Sequence, residues 1–186
     1  MFQIRIHGRG GQGVVTAAEM LSIAAFAEDR HAQAIPSFGS ERMGAPVVAY
    51  VRIDEDPIEL TEPVLRPDLL IIQDPTLFHA VDVFNGLADD GFLLINTARR
   101  LPELRIDDAL ARLPDHHVYT VAATELALRH LGRPTPNTAL LGAFTALSDV
   151  LHLESVITAI NDKFSGDIAH NNVIVARAAH DAAQAG

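Results

Sequence analysis

Apolar and polar residues alternate at the start of the chain, with Phe2, Ile4 and Ile6 set against Gln3, Arg5 and His7, the two-residue period of a strand. The segment from Val14 to Ala27 changes period: Met20, Leu21, Ala24 and Ala25 give a helix one apolar face. Val47 to Ile53 is β-branched and apolar and predicts a second strand. The turn signal Asp54-Glu55-Asp56-Pro57 then lets Ile58 to Leu60 fold back on it as a hairpin. Ile35 to Pro46, rich in Pro, Ser and Gly, is expected to be a loop.

Leu69 to Ile72 and Phe92 to Ile95 are unbroken apolar runs, the pattern of strands buried on both faces. Between them Asp74 is placed to cap a helix with Pro75 at its first position, ending at Asn85-Gly86. A short helix over Asp107 to Leu113 and a strand over Val118 to Val121 follow. The last third predicts helices over Thr124–Leu131, Thr138–Leu147, Glu154–Lys163 and Asn171–Ala183. Strands alternating with helices point to an α/β fold: three αβα layers around a mostly parallel, mixed central sheet, with residues 1–186 as a single domain.

Composition narrows the functions open to such a fold. The formal net charge is −10 and no basic patch is apparent, which argues against nucleic-acid binding. There is no Cys, so this chain has no disulfide, no thiolate nucleophile and no cysteine-held iron–sulfur cluster. Neither a signal-peptide pattern nor an apolar run approaching the roughly 20 residues that span a bilayer is present, and a cytoplasmic location is the expectation. The nine His residues lack metal-ligand spacing. His116 and His117 are adjacent, and on a strand they would face opposite ways.

The chemistry concentrates in two loops. Gly8-Arg9-Gly10-Gly11-Gln12-Gly13 joins the first strand to the first helix in a G-x-G-x-x-G pattern. Such a turn brings backbone amides and the positive end of a helix dipole to one point, and Arg9 adds a charge, so phosphate or another anion suits it. A tight turn with no ligand is the competing reading. The dinucleotide version further requires an acid at the end of the second strand. That region reads Gln33-Ala34-Ile35-Pro36, which weakens the case for a stand-alone Rossmann-like nucleotide-dependent oxidoreductase. The second loop, Pro36 to Pro46, holds Ser37, Glu41 and Arg42 between Gly and Pro hinges. Arg42 could fork onto a phosphate or carboxylate, with Glu41 orienting it; ordinary surface charges are the alternative.

Together the two loops resemble a known family. Gly8 to Ala18 is similar to the opening of the gamma domain of pyruvate and other 2-oxoacid:ferredoxin oxidoreductases, and Ser37 to Val47 is similar to its second signature, with Met43 and Ala45 where Arg or Gly is usual. Arg52-Ile53, Pro57-Ile58, Pro67-Asp68-Leu69, Asn96-Thr97, Asn137, Leu141-Gly142-Ala143 and Asn171-Asn172-Val173 continue the resemblance over nearly the whole chain. It implies a gamma subunit in a complex that oxidatively decarboxylates a 2-oxoacid to its acyl-CoA, with alpha, beta and delta-type partner subunits. Thiamine diphosphate and iron–sulfur clusters of the 4Fe-4S type would sit on those partners. This chain would be structural and border a shared coenzyme A site, with Gly8, Arg9, Gly10, Gly11, Gln12 and Gly13, then Ser37, Glu41 and Arg42, as its contributors. No catalytic residue and no metal ligand is expected on it. A ligand-free interaction module is the remaining alternative.

Overall fold

The computed structural model describes residues 1–36 and 43–185. Six strands form one sheet in the order β2-β3-β1-β4-β5-β6: β1 (Phe2–Arg9), β2 (His31–Pro36), β3 (Pro46–Asp54), β4 (Leu69–Ile72), β5 (Phe92–Asn96) and β6 (Val118–Val121). β3 runs antiparallel to β1 and β2, while β1, β4, β5 and β6 run parallel, so the sheet is mixed as the sequence implies. The chain grows from β1 toward β3 on one side and from β4 toward β6 on the other. The crevice between the carboxyl ends of β1 and β4 is therefore the topological switch point, where ligands bind in open α/β sheets.

The helices are α1 (Val14–Phe26), α2 (Asp107–Leu110), α3 (Ala123–Leu131), α4 (Asn137–Leu147), α5 (Leu153–Lys163) and α6 (Gly166–Gln184). The layering is lopsided. Ile4, Ile6, Val51, Ile71 and Leu94 turn one face of the sheet to a core shared with α1, α3, α4, α5 and α6. The opposite face carries Leu70, Ile72, Leu93 and Ile95, covered by 3-10 turns, α2 and loops through Leu77, Val83, Leu104, Ile106 and Leu113. α4 and α6 meet closely because Gly142 has no side chain: a Cβ there would collide with the carbonyl of Ala176.

Three expectations are corrected. β3 pairs with β2, from Ile35↔Tyr50 to His31↔Asp54, so Ile35 and Pro36 belong to a strand rather than a loop and Ile58–Leu60 forms no hairpin. After Asp74 only a 3-10 turn forms, over Pro75–His79. Beyond it the chain is held to β1, with the carbonyls of Val83 and Asn85 accepting from the guanidinium of Arg5. His116 and His117 lie in a 3-10 turn, not a strand, with rings in edge contact at 4.5 Å between centroids, and His117 stacks on Phe92 at 4.1 Å.

The half of the second face under β1 and β3 is polar. Arg52, 2% exposed, donates to Gln3 Oε1 at 3.3 Å, to Gln33 Oε1 at 3.0 Å and to the Glu62 carbonyl at 2.6 Å. It thereby straps the segment after β3 across the sheet, using acceptors that cost it little charge pairing but satisfy its donors.

Gly142→Ala should lower stability by about 3 kcal/mol, because backbone on the facing helix cannot yield as a side chain can. In a chain of this length that is a drop in Tm of about 6–12 °C by calorimetry.

Candidate functional site

The glycine loop is shaped mainly by one side chain. Gln12 Oε1 accepts from the Arg9 amide at 2.7 Å, Gln12 N donates to the Arg9 carbonyl at 3.0 Å, and Gln12 Nε2 donates to Asp74 Oδ2 at 2.9 Å. The end of the second loop docks on the same turn: Gly10 N donates to the Ala45 carbonyl at 2.9 Å, Gly44 N to the Gly10 carbonyl at 3.0 Å, and Gly10 bridges Met43. Gly13 takes φ 75° at the start of α1, and a Cβ on it would lie 2.5 Å from Asn137 Nδ2, so this position admits no side chain on two grounds. Gly8 to Gly13 thus form one unit. Ser37, Glu41 and Arg42 lie outside the described residues, though Met43 to Ala45 beside them reach the glycine loop.

Arg9 is held within the chain. Its Nη1 donates to the Gly44 carbonyl at 2.9 Å, its Nη2 to Thr76 Oγ1 at 2.8 Å, and its Nε lies 3.3 Å from Asp74 Oδ2. Asp74 also accepts from the Thr76 amide at 3.0 Å and hydroxyl at 2.6 Å through Oδ1. Burial works to raise the Asp74 pKa, but the bonds from Thr76 and Gln12 and the charge of Arg9 outweigh it and hold the carboxyl below the ordinary aspartate range. The switch-point crevice is therefore bridged by an ion pair, and the positive charge anticipated for the loop is largely cancelled there. His7 adds none: burial, then the neighbouring Arg5, push its pKa down to about 4, and its Nε2 is buried without a partner.

The open anion site lies on the α1 side of that bridge. Gly13 caps α1 with no side-chain bond, and the first turn of α1 holds no acid. The amides of Gly11, Gly13, Val14, Val15 and Thr16 meet no backbone acceptor among the described residues. Of these residues Gly11, Gly13 and Thr16 line a cleft of about 290 Å³, where they face Arg133, Thr135 and Asn137, with Phe164 and Ile168 as apolar wall. Arg133 is exposed and has no acidic partner among the described residues. Asn137, one of the residues that carry the family resemblance, is 5% exposed; its Oδ1 accepts its neighbour's amide at 2.9 Å and its Nδ2 reaches the Gly13 carbonyl at 3.5 Å. The sequence placed a helix from Thr138 but did not show that its start would face α1.

Dinucleotide binding is disfavoured by topology as well as by the missing acid. β3 is inserted between β1 and β2, so the tip of β2 stands two strands from the glycine loop, about 9–10 Å. No cluster of metal-ligating side chains occurs among the described residues, and no helix there is long and apolar enough to cross a membrane.

Two windows of acid sensitivity follow. Above pH 6.5 His7 is neutral folded or unfolded; below it the unfolded chain protonates first, so stability falls by up to roughly 3 kcal/mol until His7 titrates near pH 4, and His7→Gln should flatten this slope. Asp74 has the depressed carboxylate pattern: its stabilisation is full above the unfolded aspartate range and vanishes as pH falls through its lowered pKa. Asp74→Asn should therefore cost about 1–2 kcal/mol at pH 7 by urea denaturation, with the gap from the native chain closing in strong acid.

The family model for pyruvate ferredoxin/flavodoxin oxidoreductase matches residues 3–182. The chain is 46% identical over 184 residues to the pyruvate/ketoisovalerate oxidoreductases common subunit gamma of Pyrococcus abyssi, covering 99% of this chain and 98% of that one. The pyruvate oxidoreductase subunit PORC of Thermotoga maritima superposes with a TM-score of 0.81 at 33% identity, covering 97% of this chain and 95% of that one. A third structure, the 2-oxoglutarate:ferredoxin oxidoreductase of Magnetococcus marinus with 2-oxoglutarate, coenzyme A and succinyl-CoA bound, shares the fold at a TM-score of 0.77 and 14% identity, the match covering 100% of this chain and 31% of that one. A cysteine-free α/β chain with an uncapped helix behind a glycine loop, matched along nearly its whole length, belongs to the pyruvate ferredoxin/flavodoxin oxidoreductase family.

Proposed function

We propose that this chain is the gamma subunit of a multi-subunit 2-oxoacid:ferredoxin oxidoreductase that makes an acyl-CoA, and that it contributes a phosphate-facing wall to a coenzyme A site shared with alpha, beta and delta-type subunits. The observation that carries the reading is the start of α1, without a side-chain cap, whose amides open onto a cleft with an Arg133 that has no acidic partner among the described residues. Backbone amides at a helix start and a guanidinium fork are a fitting pair for a phosphate. Within the loop, Gly8 to Gly13 would shape the turn and expose amides. Arg9 would position the turn through Asp74 rather than meet the ligand. Ser37, Glu41 and Arg42 remain proposed contributors at the coenzyme or the alpha contact.

The chain's own chemistry supports a division of labour. Without Cys, and with no ligating cluster among the described residues, it offers nothing for an iron–sulfur centre, which supports placing the 4Fe-4S clusters on the partners; thiamine diphosphate is placed there by the family resemblance. When bound there, the thiamine supplies the carbanion chemistry of decarboxylation; this chain's residues bind and orient the coenzyme. The Pyrococcus abyssi relative's description as a subunit common to pyruvate and ketoisovalerate enzymes supports a gamma chain that does not select the 2-oxoacid.

In the assembled enzyme, Arg133→Gln should raise the KM for coenzyme A about tenfold, the loss of about 1.4 kcal/mol of binding, while the KM for the 2-oxoacid stays put. Steady-state kinetics with each substrate varied in turn would check this; an unchanged coenzyme A KM would remove the proposed contact.

A further inference from the structure

A second cleft, of about 520 Å³, lies across the Asp74–Thr76 wall from the first, at the carboxyl ends of β4 and β5. Its size is that of a small-ligand site. Arg99 and Arg105 line it, both exposed and neither with an acidic partner among the described residues, on a chain whose net charge is −10. Glu103 and His79 also line the cleft, and the Glu103 carboxylate is paired with Arg100 at 2.8 Å. Thr97, at the end of β5, accepts the Arg99 amide at 3.0 Å and so fixes the turn that carries that guanidinium. Phe78, stacked on Phe84 at 5.3 Å between centroids, and Leu104 supply an apolar wall beside the charges.

The backbone adds an independent sign. Arg105 sits at φ 56°, ψ 48°, the left-handed conformation that glycine adopts freely and an L side chain resists. Asp29 is the one other non-glycine residue with positive φ among the described residues. Arg105 is the C-cap of the 3-10 turn Leu101–Leu104, and a guanidinium stands there where glycine would relax the chain.

We propose that this cleft binds a small phosphate ester, with Arg99 and Arg105 gripping the phosphate and Phe78 and Leu104 packing against the remainder. Paired guanidinium forks suit phosphate oxygens, and the apolar wall suits an organic group attached to them. The site stands apart from the α1 cleft, on the other side of the Arg9–Asp74 bridge, and does not depend on the coenzyme A assignment.

The test is calorimetric titration of the full chain with pyrophosphate and with ADP at low salt. Arg99→Gln and Arg105→Gly should each raise Kd about tenfold, with ADP binding the native chain more tightly than pyrophosphate does. Arg112→Gln, an exposed change of equal charge elsewhere, should leave Kd where it was. Arg105→Gly should also keep or raise Tm, since it relieves the left-handed backbone, so lost binding cannot be put down to misfolding. No saturable binding, native affinity in Arg105→Gly, or an equal loss in Arg112→Gln would overturn the proposal. Kinetics of the assembled enzyme then identify the source of the phosphate. A coenzyme A KM unmoved by Arg105→Gly assigns the cleft to a separate phosphate ester, and a KM raised in step with Kd assigns it to a phosphate of the coenzyme. Because the α1 cleft is read through Arg133→Gln, either reading can fail without the other.

Discussion

The carboxylate of Asp74 organises the functional edge of this molecule. It stands at the end of β4, receives Gln12 from the glycine loop, lies against the guanidinium of Arg9 and caps the 3-10 turn that follows. Each bond is modest alone, since hydrogen bonds to a charged group are worth about 1.5–3 kcal/mol. Their convergence on one acid locks the β1 and β4 tips together at the switch point. Among the described residues an ion pair bridges the crevice that other α/β proteins leave open for a ligand, and a cleft lies on either flank. One borders the start of α1 and the other borders Arg99 and Arg105.

That arrangement separates shape from charge. The loop keeps its glycines for geometry and neutralises its own arginine. The unspent positive potential lies in amides at the α1 start and in arginines from distant parts of the chain. Under the proposed function, this chain would present that edge to neighbouring subunits that hold the thiamine and the clusters. The lopsided layering fits such a role: α1, α3, α4, α5 and α6 pack one face into a stiff base, while the thin opposite face is held by Arg5 and Arg52 clasping loop carbonyls.

Much of this was legible from residue order. The buried strands β4 and β5 announce themselves as runs of Leu and Ile, and the glycine turn between β1 and α1 follows from pattern alone. β2 was missed because His31-Ala32-Gln33-Ala34 has little strand character of its own; it is a strand because β3 offers it an edge to pair with. The helix expected after Asp74 stops as a 3-10 turn at His79, and Arg5 holds the chain beyond it through the carbonyls of Val83 and Asn85, a long-range contact that local pattern does not show. In the site, Arg9 was visible but its partner Asp74 was read only as a cap. Arg133 gave no signal, because nothing in the sequence brings the start of α4 opposite the start of α1.

Hydrogen exchange of the assembled complex, with and without coenzyme A, addresses the central claim at the atoms concerned. Amides of the first turn of α1, Val14 to Thr16, should exchange markedly more slowly once the coenzyme is present, because their donors then meet phosphate oxygens. Unaltered exchange there, with protection confined to the partner chains, would contradict the assignment of this helix start to the coenzyme.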